Sequence, residues 1–161
     1  MVQPLPYTHN CFVCGVSNRH GMQLRFHADT ESHAIHAEFQ PRKEHAGYPG
    51  VLHGGAVAAA LDEAMFWAAT HATGRMQMSV ELAVRYRGKV HTGGQYRIVA
   101  GSERQRGRLS TTTAELLDAD GEVCASASGK YLPLPGEDAQ RVLADVCSDP
   151  STLSLGDFAP E

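Results

Sequence analysis

The chain has 161 residues, 42% of them apolar, and a net charge of −4 with histidine counted neutral, which suits one domain with a real core and argues against nucleic acid as the main partner. Its first residues lack the charged-then-apolar order of a signal peptide, and no apolar run reaches the ~20 residues of a membrane span, so no membrane partner is expected. Four cysteines are too few for a disulfide scaffold and point to a reduced, cytoplasmic protein.

Residues 1–21 form a leader, HNCFVCGVSNRHG at its centre. Cys11 and Cys14 make a C-x-x-C pair with His9 and His20 nearby. A zinc site would need a second pair at comparable spacing, and Cys124 and Cys147 are single and distant, so no metal is expected. A redox pair would want a strand-to-helix unit behind it, which is absent. The leader reads as a small cap in which cysteine packs as an apolar residue. Residues 22–27 and 34–39 then alternate on either side of a polar stretch and predict two strands. PRKEHAGYP, residues 41–49, is a loop, and its His45 falls close before the next element.

HGGAVAAALDEAMFWAATH, residues 53–71, is the longest apolar stretch. Ala and Leu are strong helix formers, and apolar residues surround the axis, as in a helix buried on most sides. Asp62 and Glu63 interrupt it. A carboxylate in such a helix is costly unless paired or facing a cavity. The start, His53-Gly54-Gly55, presents unpaired N–H groups at the positive end of the helix dipole, with glycine allowing close approach. One element thus offers oxyanion donors at its start and a carboxylate two turns later.

Thr73-Gly74 ends the helix. Residues 79–87 alternate as a strand, with Val80, Leu82, Val84 and Tyr86 on one face and Ser79, Glu81 and Arg85 on the other. Residues 95–100, 109–117 and 123–132 complete a four-strand meander. Its turns are Gly93-Gly94, the basic run 104–108 and the hairpin signal Asp120-Gly121. Residues 133–161, rich in Pro, Gly, Asp and Ser, form a peripheral tail with a short helix over 137–146.

One long helix wrapped by an antiparallel sheet of five to six strands is an α+β, hot-dog architecture over residues 22–132. PGVLHGGAVAAALDEAM resembles the signature of the phenylacetate-pathway type of acyl-CoA thioesterase, within the hot-dog thioesterase superfamily. CFVCGVSNRHGMQL resembles a leader of some members. The resemblance implies Asp62 as general base or nucleophile, the Gly54 N–H as oxyanion donor beside His53 and Gly55, and Ser79 holding the attacking water. It implies contacts to pantetheine and nucleotide from Arg87-Gly88-Lys89 and from Arg106-Gly107-Arg108. Several members carry Asn six residues before the histidine, where this chain has Gly47. Water positioning then falls to His45, or the activity differs. Glu63 points about 100° away from Asp62 and ranks as a structural partner.

Thioester hydrolysis needs a base for water and donors for the oxyanion, and this helix offers both. Met65, Phe66 and Trp67 can line an acyl pocket, and the basic turns suit the phosphates of CoA. CoA belongs to the substrate, so no separate cofactor is expected. A hot-dog hydratase or dehydratase and a non-catalytic acyl-CoA-binding module are the rival readings; retention of the acid at 62 favours an enzyme. Gly54 and Asp62 lie roughly 12 Å apart along one helix axis, too far to serve one carbonyl. A homodimer, alone or paired into a tetramer, with sites shared between antiparallel helices is therefore expected.

Overall fold

The computed structural model describes residues 1–154; residues 155–161, the end of the expected tail, lie outside the described residues. Helix α1 (Gly54–Thr73) is the centre of the fold. Its buried residues include Ala56, Val57, Ala60, Leu61, Ala64, Met65, Trp67, Ala68 and Ala69, so the apolar surface goes well round the axis. Ala60, Ala64 and Ala68 recur every fourth residue and let the helix lie close on a sheet. Gly74 closes the helix in the left-handed conformation, φ 67°, its N–H bonded to the Thr70 carbonyl.

The strands are β1 (Val2–Pro4), β2 (Tyr7–Thr8), β3 (His27–Asp29), β4 (Ile35–Phe39), β5 (Ala46–Tyr48), β6 (Val51–Leu52), β7 (Gln77–Tyr86), β8 (Tyr96–Arg106), β9 (Leu109–Leu117), β10 (Val123–Pro133) and β11 (Val146–Cys147). A short 3₁₀ turn, Lys43–His45, precedes β5, and a second helix, α2 (Gly136–Asp145), precedes β11. Seven strands form one sheet in the order β1-β3-β4-β8-β9-β10-β7, each pair antiparallel. Helix α1 packs across β4, β8, β9, β10 and β7. This is the hot-dog fold. Among the described residues no helix is long and apolar enough to cross a membrane.

Three local expectations are corrected. The sheet has seven strands rather than five or six, because β1 comes from the leader and pairs with β3. The strand expected over 22–27 begins only at His27. Met22, Leu24 and Phe26 are buried, but this stretch bonds to the leader: Met22 N–H to Phe12 O, Leu24 N–H to Val13 O, and Leu5 N–H to Phe26 O. Alternating burial there reports packing under the leader, not a rung of the main sheet. The basic run 104–108 is not all turn. Arg104 and Arg106 belong to β8, and the chain reverses at Gly107, φ 61°.

One short pairing and a buried contact fasten the ends. β2 pairs with β11, and Ala139 of α2 is buried. At the far side of the main sheet β7 is an edge. Among the described residues its partner is β10 alone, and Met78, Val80, Leu82 and Tyr86 are 39–52% exposed. An open ten-residue edge with apolar side chains is uncommon in a finished assembly.

Leu61 is 0% exposed at the middle of α1. Leu61→Ala should lower unfolding free energy by about 2–5 kcal/mol, read as a reduced urea midpoint at unchanged slope.

Candidate active site

Asp62 is half-buried on α1, and its partner is Tyr131 of β10. The Tyr131 hydroxyl donates to Asp62 Oδ1 at 2.6 Å and lies 3.2 Å from the Asp62 carbonyl oxygen. Burial, then the hydroxyl's bond to Asp62 and the carboxylate charge, push the Tyr131 phenol up, so it stays protonated as donor. Gly129 makes room for the ring: a Cβ there would stand 2.6 Å from Tyr131 Cε2. No other group among the described residues hydrogen-bonds the Asp62 side chain. One carboxylate oxygen is thus held and the other is available. A bulge between Lys130 and Tyr131 shifts the register so that Ser79, which is exposed, stands opposite Tyr131. Tyr131 carried no signal in the sequence reading.

The helix start is built by His53. It is the N-cap, extended at φ −61° and ψ 135°, and its Nδ1 accepts the Gly55 N–H at 2.8 Å. Its carbonyl takes the N–H groups of Ala56 and Val57. Gly55 is therefore satisfied internally. The Gly54 N–H, at the first helical position, is taken by none of the described turn, loop or cap bonds. The Tyr86 hydroxyl donates to the Gly54 carbonyl at 2.7 Å, tying β7 to the helix start. Gly47 lies against the same histidine: a Cβ at 47 would be 3.1 Å from His53 Cα and Cδ2. Any side chain there, asparagine included, would move His53.

His45, which the resemblance offered for water positioning, is buried. It is only 9% exposed. Its ring donates from Nε2 to the His20 carbonyl at 2.9 Å, and Phe12 packs edge-on at 5.9 Å. Its carbonyl takes the His53 N–H at 2.9 Å. These contacts clamp the leader to the loop before α1. Met65 and Trp67 are fully buried core residues, so they do not line an open pocket in the single chain. Phe66 is half-buried, four residues after Asp62 and on the same side of the helix, with its ring edge-on to Trp67 at 5.0 Å.

Glu63 turns the other way, to the leader. Its Oε2 lies 3.8 Å from Cys11 Sγ. Burial, with the neighbouring Cys11, pushes the Glu63 carboxyl up to about 8. The Cys14 thiol and backbone N–H groups beside Cys11 hold that thiol below its ordinary range, and Cys14 is correspondingly pushed up.

The two basic segments lie at opposite ends of the sheet. The Arg87 and Gly88 N–H groups bond to Cys124 O, at the start of β10, whereas Arg106 pairs with Leu109 at the far end of β8 and β9. The registers of β9 and β10 put some eight residues of strand, roughly 25 Å, between them. Arg87, Lys89, Arg106 and Arg108 are all exposed. Gly54 sits at the Arg87-Gly88-Lys89 end, through Tyr86; Tyr131, with Asp62, is paired toward the other end.

Residues 49–125 match the family model of the thioesterase superfamily. An uncharacterized protein of Schizosaccharomyces pombe is 31% identical over 99 residues, covering 58% of this chain and 57% of that one. A solved thioesterase superfamily protein superposes with a TM-score of 0.70 at 24% identity, over 78% of this chain and 60% of its own. The chain therefore spans about three fifths of the length of these two. The Escherichia coli PaaI protein, from a phenylacetic acid degradation operon, matches at TM-score 0.59 and 14% identity, over 63% of this chain and 73% of that one. A Streptococcus mutans protein solved with acetyl CoA matches at 0.61 and 13%, over 66% and 86%.

Proposed function

We propose that this chain, whose residues 49–125 match the thioesterase superfamily model, hydrolyses an acyl-CoA thioester to the free acid and CoA. The observation that carries the reading is the Asp62–Tyr131 pair, a carboxylate aimed by a buried phenol with its second oxygen left for a reactant. Asp62 acts as general base or as nucleophile. As base it takes a proton from water while the water oxygen adds to the thioester carbonyl. The Gly54 N–H, at the positive end of α1, hydrogen-bonds the oxyanion. Collapse breaks the carbon–sulfur bond, and the CoA thiolate leaves with the proton. Ser79, opposite Tyr131, helps hold the water. The acetyl CoA bound to the Streptococcus mutans protein supports an acyl-CoA ligand. Four free cysteines support a reducing, cytoplasmic setting.

The site is shared between two chains. Gly54 and Asp62 are roughly 12 Å apart on one helix, while base and oxyanion donor each work at about 3 Å from reacting atoms. The open edge of β7, with its exposed Met78, Val80, Leu82 and Tyr86, supports pairing with a second copy. Antiparallel apposition of two β7 edges would bring the Gly54 end of one copy to the Asp62 region of the other. It would also carry Arg87-Gly88-Lys89 of one copy toward the Arg106-Gly107-Arg108 end of the next, so that both basic segments can serve one CoA. Dimers of this kind can pair further into tetramers.

Asp62→Asn should lower kcat at least about a hundredfold with KM for acyl-CoA nearly unchanged. Tyr131→Phe should lower kcat by a smaller factor, since the carboxylate remains and only its aim is lost. Near-normal turnover by Asp62→Asn would end the assignment.

Complementation tests the shared site. Gly54→Pro removes the donor at the first helical position, where proline is tolerated. Asp62→Asn and Gly54→Pro should each be nearly inactive alone. Refolded together in equal amounts they should recover up to roughly a quarter of wild-type activity, because half of the random dimers carry one intact site of two. No recovery from chains that have exchanged and folded would place the site within one subunit.

Replacing Arg106 and Arg108 together should raise KM for acyl-CoA more than for a short pantetheine thioester. The difference should narrow in high salt, as screening weakens phosphate contacts. An equal loss on both substrates would remove these arginines from the CoA site.

A further inference from the structure

The leader's C-x-x-C pair has no part in the hydrolysis above, yet the fold gives it a third partner. Sγ of Cys11, Sγ of Cys14 and a carboxylate oxygen of Glu63 all lie within 4.8 Å of one another, the one such cluster of three or more potential ligands among the described residues. The sulfur of Cys11 is 3.8 Å from Glu63 Oε2. Four donors around a tetrahedral zinc stand roughly 3.3–3.8 Å apart, given metal–sulfur and metal–oxygen bonds near 2.3 and 2.0–2.2 Å. The cluster needs little contraction to reach that.

The backbone is shaped for thiolate ligands. Cys11-Phe12-Val13-Cys14-Gly15 folds into a tight knuckle in which the Val13 N–H points at Cys11 Sγ, 3.2 Å away, and the Gly15 N–H bonds to Cys11 O at 3.0 Å. A Cβ on Gly15 would stand 2.4 Å from Cys11 O, so only glycine closes the turn. Thr8 Oγ1 sits 3.6 Å from Cys14 Sγ as a further hydrogen-bond partner. N–H and O–H groups turned toward ligating atoms orient and tune a metal site. Cys14 is buried and Cys11 is half-buried, so the cluster is enclosed on the Cys14 side and has an approach on the Cys11 side. Two soft thiolates and one carboxylate suit a zinc-class ion and not a magnesium- or calcium-class ion.

We propose that Cys11, Cys14 and Glu63 bind one zinc-class divalent cation, with a water as fourth ligand on the Cys11 side. The ion ties the leader to α1 at the residue next to Asp62. Its role is structural: a metal whose ligands come from two segments far apart in sequence adds its binding free energy to the folded state. It stands apart from the proposed hydrolytic site, and its test does not depend on activity.

The test is a cobalt titration of the full-length, chelator-treated protein with its thiols verified as reduced. One Co²⁺ per chain should bind, with a thiolate-to-cobalt charge-transfer band in the near ultraviolet and tetrahedral d–d bands in the visible, both bleached by Zn²⁺. Glu63→Gln, checked as folded by circular dichroism, should weaken Co²⁺ binding at least about tenfold. Cys124→Ser and Cys147→Ser should leave the spectrum unchanged. Three results would overturn the site: no charge-transfer band from the reduced wild-type chain; unchanged affinity in folded Glu63→Gln; or a reduced chain that takes up no metal and instead closes a Cys11–Cys14 disulfide.

Discussion

A helix faced with alanine can lie close against a sheet, but it then has little room for charge. α1 carries two adjacent carboxylates, and each needs a partner of its own. Tyr131 supplies one. Its hydroxyl reaches Asp62 because Gly129, two residues earlier on β10, leaves the space that the ring occupies. Without that donor a half-buried carboxylate would face the sheet unsatisfied. The opposite wall of the helix faces the leader, where Glu63 meets Cys11. Successive residues of a helix diverge by about 100°, so two neighbouring acids serve two different environments.

The same logic organises the helix start. His53 satisfies Gly55 with its side chain and Ala56 and Val57 with its carbonyl, which leaves Gly54 as a donor that no turn, loop or cap bond among the described residues takes. Tyr86 fixes that turn to the end of β7. His45 fixes the preceding loop to the leader. The leader, the loop, the helix start and the edge strand are thus one connected frame. Small residues mark its close approaches: Gly47 beside His53, Gly54 beside Tyr86 and Gly15 within the knuckle.

Much of this was legible in the sequence. The helix over 54–73, the strand meander and the hot-dog architecture follow from propensity, alternation and turn chemistry, because these signals are local. The signature around His53 and Asp62 was legible as a family resemblance. Contacts across the fold were not. Nothing in VCASASGKYL says that Tyr131 faces Asp62, since that depends on a bulge and on register. The burial of His45 was not legible, because a loop position carries no record of what covers it. Cys11 and Cys14 looked incomplete because the third group of their cluster is 52 residues away from Cys11. The distance between the two basic segments was not legible either, because only the strand registers give it.

The strand order also bears on how the chain reaches its native state. β7 follows α1 directly, yet among the described residues its only ladder partner is β10, the last long strand. The β8–β9 and β9–β10 hairpins close locally, whereas joining β7 to β10 closes a loop of roughly forty residues. Such non-local pairing is slow to form. During synthesis β7 emerges before β8, β9 and β10, and among the described residues it has no ladder partner until β10 follows. Tyr131 arrives on that same strand, so Asp62 gains its donor in the step that closes the sheet. Pairing of Tyr131 with Asp62 and closure of the main sheet are therefore a single late event, and a chain stalled before β10 has neither.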